Sequence, residues 1–86
     1  MKDPLIEIPG VGISIARDLR NIGIQHISDL KGKDPQLLYE QSNASVGTVQ
    51  DRCLLYVFRC AVYFAEGGTD QEKLKWWHWK DQNTIR

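Results

Sequence analysis

The sequence carries no surplus of charge of either sign, because 11 Lys and Arg residues are balanced by 11 Asp and Glu residues among 86 positions. This balance excludes a protein that holds nucleic acid by bulk positive charge alone, and it excludes a polybasic membrane binder. Long apolar runs are also missing, since no stretch approaches the roughly 18–20 continuous apolar residues of a membrane span. The N-terminal residues lack a signal-peptide core, so we expect a cytoplasmic protein without a membrane anchor.

Cysteine is scarce, with only Cys53 and Cys60 in the chain. On a helix, a spacing of seven residues separates them by roughly 10 Å, which is beyond disulfide reach and predicts two reduced thiols. These cysteines and the two histidines, His26 and His78, match no zinc-ligand spacing. Nucleophile–base pairs and carboxylate clusters at recognisable spacing are missing as well. The sequence therefore predicts no metal, no cofactor and no enzymatic activity.

The residues that are present indicate a small helical domain. The hydrophobic fraction of 42% suits a folded chain, and 86 residues predict one domain over 1–86. Between Cys53 and Ala65 the only charged residue is Arg59, so we predict a central helix over about 50–65. Its Arg59 is expected to pair with a carboxylate or with helix-end carbonyls. No alternating strand pattern occurs, and the predicted fold is an all-α bundle of about five helices.

Cap and break residues predict the other element boundaries. Proline follows a capping aspartate twice, glycines end two helices, and three further positions have the residue types of helix caps. The predicted starts are Asp3-Pro4, Ser28, Asp34-Pro35, Thr48 with Asp51, and Thr69 with Glu72 for a last helix within a Trp-rich segment, 70–81; the predicted breaks are Gly23, Gln41 to Gly47, and Gly67-Gly68.

The segment 4–24 carries the most informative pattern, with Leu5 and Ile8 before Gly10-Val11-Gly12 and with Ala16 and Leu19 after it. The glycines allow a tight turn, the valine fills the space between two helices, and the alanine permits their close approach. The second helix then begins with uncovered backbone amides at the positive end of its dipole. Such an end favours an anion, and a phosphodiester is a natural ligand.

This pattern resembles the helix-hairpin-helix motif of DNA-repair and DNA-recombination proteins. The resemblance implies binding to the DNA backbone without sequence preference. Many such motifs place Lys or Pro directly after the second glycine, whereas this chain has Ile13 there, so positive charge has to come from the following helix. The predicted nucleic-acid-binding residues are Gly10, Val11, Gly12, Ile13, Ser14, Arg17 and Arg20.

A second resemblance extends over nearly the whole chain, to a small bacterial family labelled pathogenicity-locus or mitomycin-resistance protein. The stretches that carry it are 28–32, 34–39, 53–63, 75–77 and 79–81. The inference of DNA binding for that family depends mainly on the hairpin. The expected partner is therefore DNA, bound weakly through its phosphates.

Alternative interpretations remain for the hairpin, the basic residues and the tryptophans. In one alternative, the protein is an interaction module and the hairpin is only its scaffold. The contact surface is then the Trp-rich segment or the helix at 35–39. Arg17 and Arg20 form a basic face with Lys31 and Lys33 or are simply solvated. The tryptophans form platforms for unpaired bases or, as we favour, complete the core, with Trp76 and Trp79 on one helical face and Trp77 more exposed.

Overall fold

The computed structural model describes residues 4–80, and within this range it contains helices and turns but no strand. The α-helices are α1 (Ile13–Asn21), α2 (Pro35–Val46) and α3 (Cys53–Ala65). Three short 3-10 helices span Pro4–Glu7, Ile27–Leu30 and Trp76–Trp79. The all-α fold is confirmed. Within the described range, no helix has both the length and the apolar character that crossing a bilayer requires. The predicted cap Asp3 and the last residue of the Trp-rich segment, Asp81, lie outside the described residues.

The central helix α3 organises the core, as its apolar sequence predicts. Most of its residues are buried, and it packs against α2 and against the 3-10 helices Ile27–Leu30 and Trp76–Trp79. Its one charged residue, Arg59, donates a hydrogen bond from Nη1 to the carbonyl of Trp79 at 2.7 Å. Since Trp79 is the last residue of its 3-10 helix, the expected pairing of Arg59 with a helix-end carbonyl is confirmed.

The start of α3 differs from the sequence prediction. The helix begins at Cys53, and its backbone amide donates to Oδ1 of Asp51 at 2.8 Å. Hydrogen bonds from the backbone amide and the thiol of Cys53 hold the pKa of Asp51 below its usual value. The capping acceptor is therefore Asp51 and not Thr48, because the helix starts several residues later than a Thr48 cap requires.

Helix α2 begins as predicted but continues further. Asp34 caps it by accepting from the amide of Gln36 at 2.9 Å. The stretch predicted as a turn, Gln41 to Gly47, is helical as far as Val46, and Gly47 ends the helix with φ +78°. Its polar residues are compatible with the helix because Gln50 hydrogen-bonds Ser42 and Asn43 from the following loop.

The Trp-rich segment is a turn followed by a 3-10 helix, not the α-helix predicted up to Lys80. Tertiary contacts explain the difference. The carbonyl of Lys73 accepts from Nε1 of Trp79 at 2.7 Å and is 3.6 Å from the thiol sulfur of Cys60. A carbonyl used in this way is not free for the amide four residues ahead. The turn at its start is capped by Asp70, whose Oδ1 accepts from the amide of Glu72, and not by Thr69.

Two remaining boundaries follow local backbone chemistry. Helix α1 ends in a Schellman motif, in which the amides of Gly23 and Ile24 donate to the carbonyls of Arg20 and Leu19. Gly23 has φ +96°, so its predicted left-handed conformation is confirmed. The N-cap of the turn Ile27–Leu30 is His26 and not Ser28, and Oδ2 of Asp29 accepts from the backbone amides of Gln25 and His26 just before the turn.

Candidate functional site

The turn between the 3-10 helix Pro4–Glu7 and α1 rests on buried apolar residues. Val11 and Ala16 are both buried, as their predicted roles as a filler and a close-contact residue require. The amide of Val11 donates to the carbonyl of Ile8 at 3.0 Å. Val11 therefore supports the turn from below, and its amide is not available to a ligand.

Gly10 has a structural reason to be glycine. Its φ of +86° lies in the left-handed region, which L side chains rarely adopt. A β-carbon at this position would also lie 3.2 Å from Cδ1 of Trp76. The indole of Trp76 thus covers one side of the turn. Nothing in the sequence pairs a tryptophan near the C-terminal end with this glycine, so sequence reasoning missed Trp76 as part of the site.

Gly12 has no such reason. Its φ of −99° and ψ of −172° are extended backbone that any residue adopts, and a β-carbon there meets no atom within 4 Å. Gly12 precedes α1 directly and is exposed. Within residues 4–80, the amides of Gly12, Ile13 and Ser14 donate to no acceptor. A glycine that the fold does not require leaves these three amides open to solvent.

The beginnings of the other two α-helices are different. Asp34 accepts from an amide at the start of α2, and Asp51 accepts from one at the start of α3. Both carboxylates place a negative charge where the helix dipole is positive, which repels an anion. Among the α-helices within residues 4–80, only α1 starts without an aspartate cap.

The predicted basic residues lie at different distances from the start of α1. Arg17 is exposed one turn into α1, on the same helical face as Ile13, whose side chain is 72% exposed. Arg20 is in the last turn, roughly 10 Å along the axis from Ile13, and its Nη1 donates to the side chain of Gln25 at 3.0 Å. Lys33 borders a cleft at the same end of α1. The amide start of α1 therefore has Arg17 as its nearest predicted cation.

The tryptophans contribute unequally to packing, and this confirms the expected order of exposure. Trp76 packs against the core, and the ring centroid of Trp79 lies 5.6 Å from that of Tyr63. The side chain of Trp77 is 52% exposed. Trp77 still contacts Trp76 edge-on, with ring centroids 5.7 Å apart. The segment is thus mainly structural, with one indole at the surface.

The buried thiol of Cys60 connects the same parts of the molecule. Its sulfur lies 3.3 Å from the carbonyl of Leu74 and 3.9 Å from that of Pro9. Burial raises the pKa of the Cys60 thiol to about 11, so it stays protonated and unreactive near neutral pH. Cys53 is exposed instead, and no group of three or more His, Cys, Asp or Glu residues within 4–80 is arranged to hold a metal ion.

Comparison with known proteins identifies the family. The Pathogenicity locus family model matches residues 2–84. The chain belongs to this family. It is also similar to the "Mitomycin resistance protein McrB" of Streptomyces lavendulae, with 40% identity over 75 residues that cover 87% of this chain and 69% of the relative. No solved structure matches the chain.

Proposed function

We propose that this member of the Pathogenicity locus family binds DNA through its phosphate backbone, without reading base sequence. The contact is a phosphate oxygen held by the amides of Gly12, Ile13 and Ser14, with the Arg17 guanidinium beside it. The segment 4–24 then acts as a helix-hairpin-helix unit. The link to DNA repair and recombination follows from the resemblance of that motif.

The single observation that supports this proposal best is the glycine at position 12, which neither its backbone conformation nor a neighbouring atom requires. Side chains at helix starts usually accept a hydrogen bond from one of the first amides, and the other two α-helices described have aspartates that do so. Gly12 leaves the amides uncovered although the backbone there tolerates any residue. Glycine without a conformational role is typical of a place where a ligand approaches the backbone closely.

The neutral chain sets the expected strength of binding. Three amides and one guanidinium contact one or two phosphates, so the counterion release that drives association is small. Arg20, committed to Gln25 at the far end of α1, adds at most a second and weaker phosphate contact. We therefore expect weak binding that is useful beside a partner protein or a second copy.

An NMR titration at low salt tests the proposal with a short duplex and a single strand as probes. Amide shifts that cluster at 10–17 and disappear when salt is added are the expected result. The variant Gly12→Val should remove these shifts and keep the fold, because its side chain enters open space over the amides. No shift with either probe at millimolar concentration, or unchanged binding by the variant, would contradict the proposal.

A second candidate function, protein–protein interaction, is favoured by the half-exposed indole of Trp77. The exposed apolar side chains of α2 do not strengthen it. Leu37 and Val46 are nine residues apart on α2 and thus on opposite faces of that helix. Apolar side chains that are scattered singly over a surface need no partner. Binding that survives Gly12→Val but is lost on Trp77→Ser would favour this function.

A further inference from the structure

A groove opens between α1, the start of α3 and the indole of Trp76. Its volume is about 390 Å³, which lies within the range of small-molecule sites. The walls are mainly apolar, and two carboxylates stand among them. The residues that matter for the argument are Gly10, Ile15, Asp18, Asp51, Cys53 and Trp76. We call this feature the α1–α3 groove.

Two residues that line the α1–α3 groove flank the proposed phosphate site in the sequence. Gly10 lines the groove and is only two residues before Gly12, so their α-carbons are at most roughly 8 Å apart. Ile15, another wall residue, belongs to the same first turn of α1 as the free amides. When the phosphate of a nucleotide lies on those amides, the base of the same nucleotide can therefore reach the mouth of the groove.

The groove chemistry suits a base better than a phosphate. The indole of Trp76 and the side chain of Ile15 offer apolar surfaces against which an aromatic ring packs. The carboxylates of Asp18 and Asp51 repel phosphate and accept hydrogen bonds from N–H groups. The negatively charged phosphate of the strand therefore stays on the amides outside the groove, and the uncharged ring of the base enters it.

Asp18 is the carboxylate available for such a bond. Asp51 already accepts from the amide of Cys53, whereas Asp18 has no hydrogen-bond partner within residues 4–80. Partial burial raises the pKa of Asp18, and the neighbouring Arg17 opposes this only in part. A donor group in the groove takes the place of water at this carboxylate. Among unpaired bases, cytosine, adenine and guanine carry an exocyclic amino group that can donate to this carboxylate, whereas thymine has only a ring N–H.

We propose that the α1–α3 groove binds an unpaired base that carries an exocyclic amino group, from a strand whose phosphate lies on the start of α1. The inference depends on the phosphate site proposed above, which reads no base, and adds two preferences that the groove supplies: unpaired over paired nucleic acid, and amino-bearing bases over thymine. A base within a duplex has its amino group committed to its partner and its ring stacked, so it cannot occupy the groove.

Alkylation of Cys53 provides a test on the unmodified protein. Cys53 lies on the rim of the groove and is exposed, while Cys60 is buried, so a neutral maleimide adds at Cys53 only. The hydrogen bond to Asp51 raises the pKa of the Cys53 thiol, so the alkylation is followed at mildly alkaline pH, where more thiolate is present. The probes are oligodeoxycytidylate, oligothymidylate of equal length and a duplex. At a concentration of oligodeoxycytidylate about ten times its Kd, we expect alkylation followed by intact mass to slow roughly tenfold. Oligothymidylate and the duplex should protect less.

Asp18→Ala tests the base contact, and Glu7→Ala, which removes an exposed carboxylate outside the groove, is its matched control. The preference for cytosine over thymine, expected to be at least roughly fivefold, should fall to near unity in the first variant and persist in the second. A thermal melt of each variant verifies folding.

The outcomes separate this inference from the proposed function. Amide shifts at 12–14 with an unchanged alkylation rate at Cys53 would overturn the base site and leave the phosphate site standing. Equal protection by both oligonucleotides would overturn the claim of an amino-bearing base. The absence of both amide shifts and protection would overturn the proposed function, and the groove proposal with it.

Discussion

Replacing Gly12 by aspartate should stabilise the protein and weaken DNA binding at the same time. The backbone at position 12 is already in the extended conformation of a helix cap, and open space surrounds the site of a β-carbon. An aspartate there accepts from the free amides of α1 and interacts favourably with the helix dipole. A carboxylate in that place also occupies the proposed phosphate site.

The magnitudes follow from these two effects. Asp exceeds Gly as a cap by a few tenths of a kcal/mol, and the dipole adds about 0.3–1 kcal/mol, so unfolding becomes about 0.5–1 kcal/mol less favourable. For a domain of this size, the Tm rises by roughly 2–8 °C. A new negative charge near a phosphate costs at least about 1 kcal/mol, so DNA affinity falls at least roughly fivefold.

Thermal denaturation by circular dichroism and the NMR titration measure the two effects in the same samples. Gly12→Asn is the matched control, because asparagine caps a helix without adding charge. It should gain part of the stability and lose less affinity than Gly12→Asp. A Gly12→Asp variant that melts higher and binds DNA as the unmodified protein does would refute the phosphate site. A lower Tm would refute our description of the α1 start.

Three further predictions concern neighbouring features. Gly10→Ala should lower the Tm by roughly 4–16 °C in a melt, because a left-handed backbone costs an alanine about 1–2 kcal/mol; an unchanged Tm would show that the positive φ is not required. Arg17→Ala should reduce the slope of log affinity against log salt by about 0.9, the share of one phosphate contact, and an identical slope would remove Arg17 from the site. Hydrogen bonds from the amides of Gln25 and His26 hold the pKa of Asp29 below its ordinary 3.8, so its stabilising effect is complete above that value and is lost as the pH falls through the folded pKa. Denaturation at several pH values should show Asp29→Asn less stable near neutrality and equal to the unmodified protein in acid, whereas a constant gap would contradict this assignment.

The sequence was sufficient where a residue's own chemistry decides the structure. Asp34-Pro35 starts α2, Gly23 takes a left-handed conformation after α1, and the apolar stretch around Arg59 forms the central helix. Each of these features depends on the backbone preferences or the apolar character of the residues in the segment itself, without a distant partner. The same holds for the predicted packing of Val11 and Ala16 below the turn.

The sequence was insufficient where a distant partner decides. The stretch after Gln41 looked like a turn because its residues are polar, but Gln50 pairs with them and α2 continues. The Trp-rich segment looked helical, yet its Lys73 carbonyl is used by Trp79. Gly10 and Gly12 looked equivalent in the motif, and the structure distinguishes them by the positive φ of Gly10 and by the packing of Trp76 against it.

The contact between Gly10 and Trp76 also has a consequence for the order of folding. The indole that covers the turn is some sixty-six residues further along the chain than the glycine. During synthesis at about 5–20 residues per second, the tryptophan follows the glycine by roughly 3–13 s. A nascent chain or a peptide limited to 4–24 thus has the motif without its cover. The turn reaches its final shape only when both ends of the chain have met.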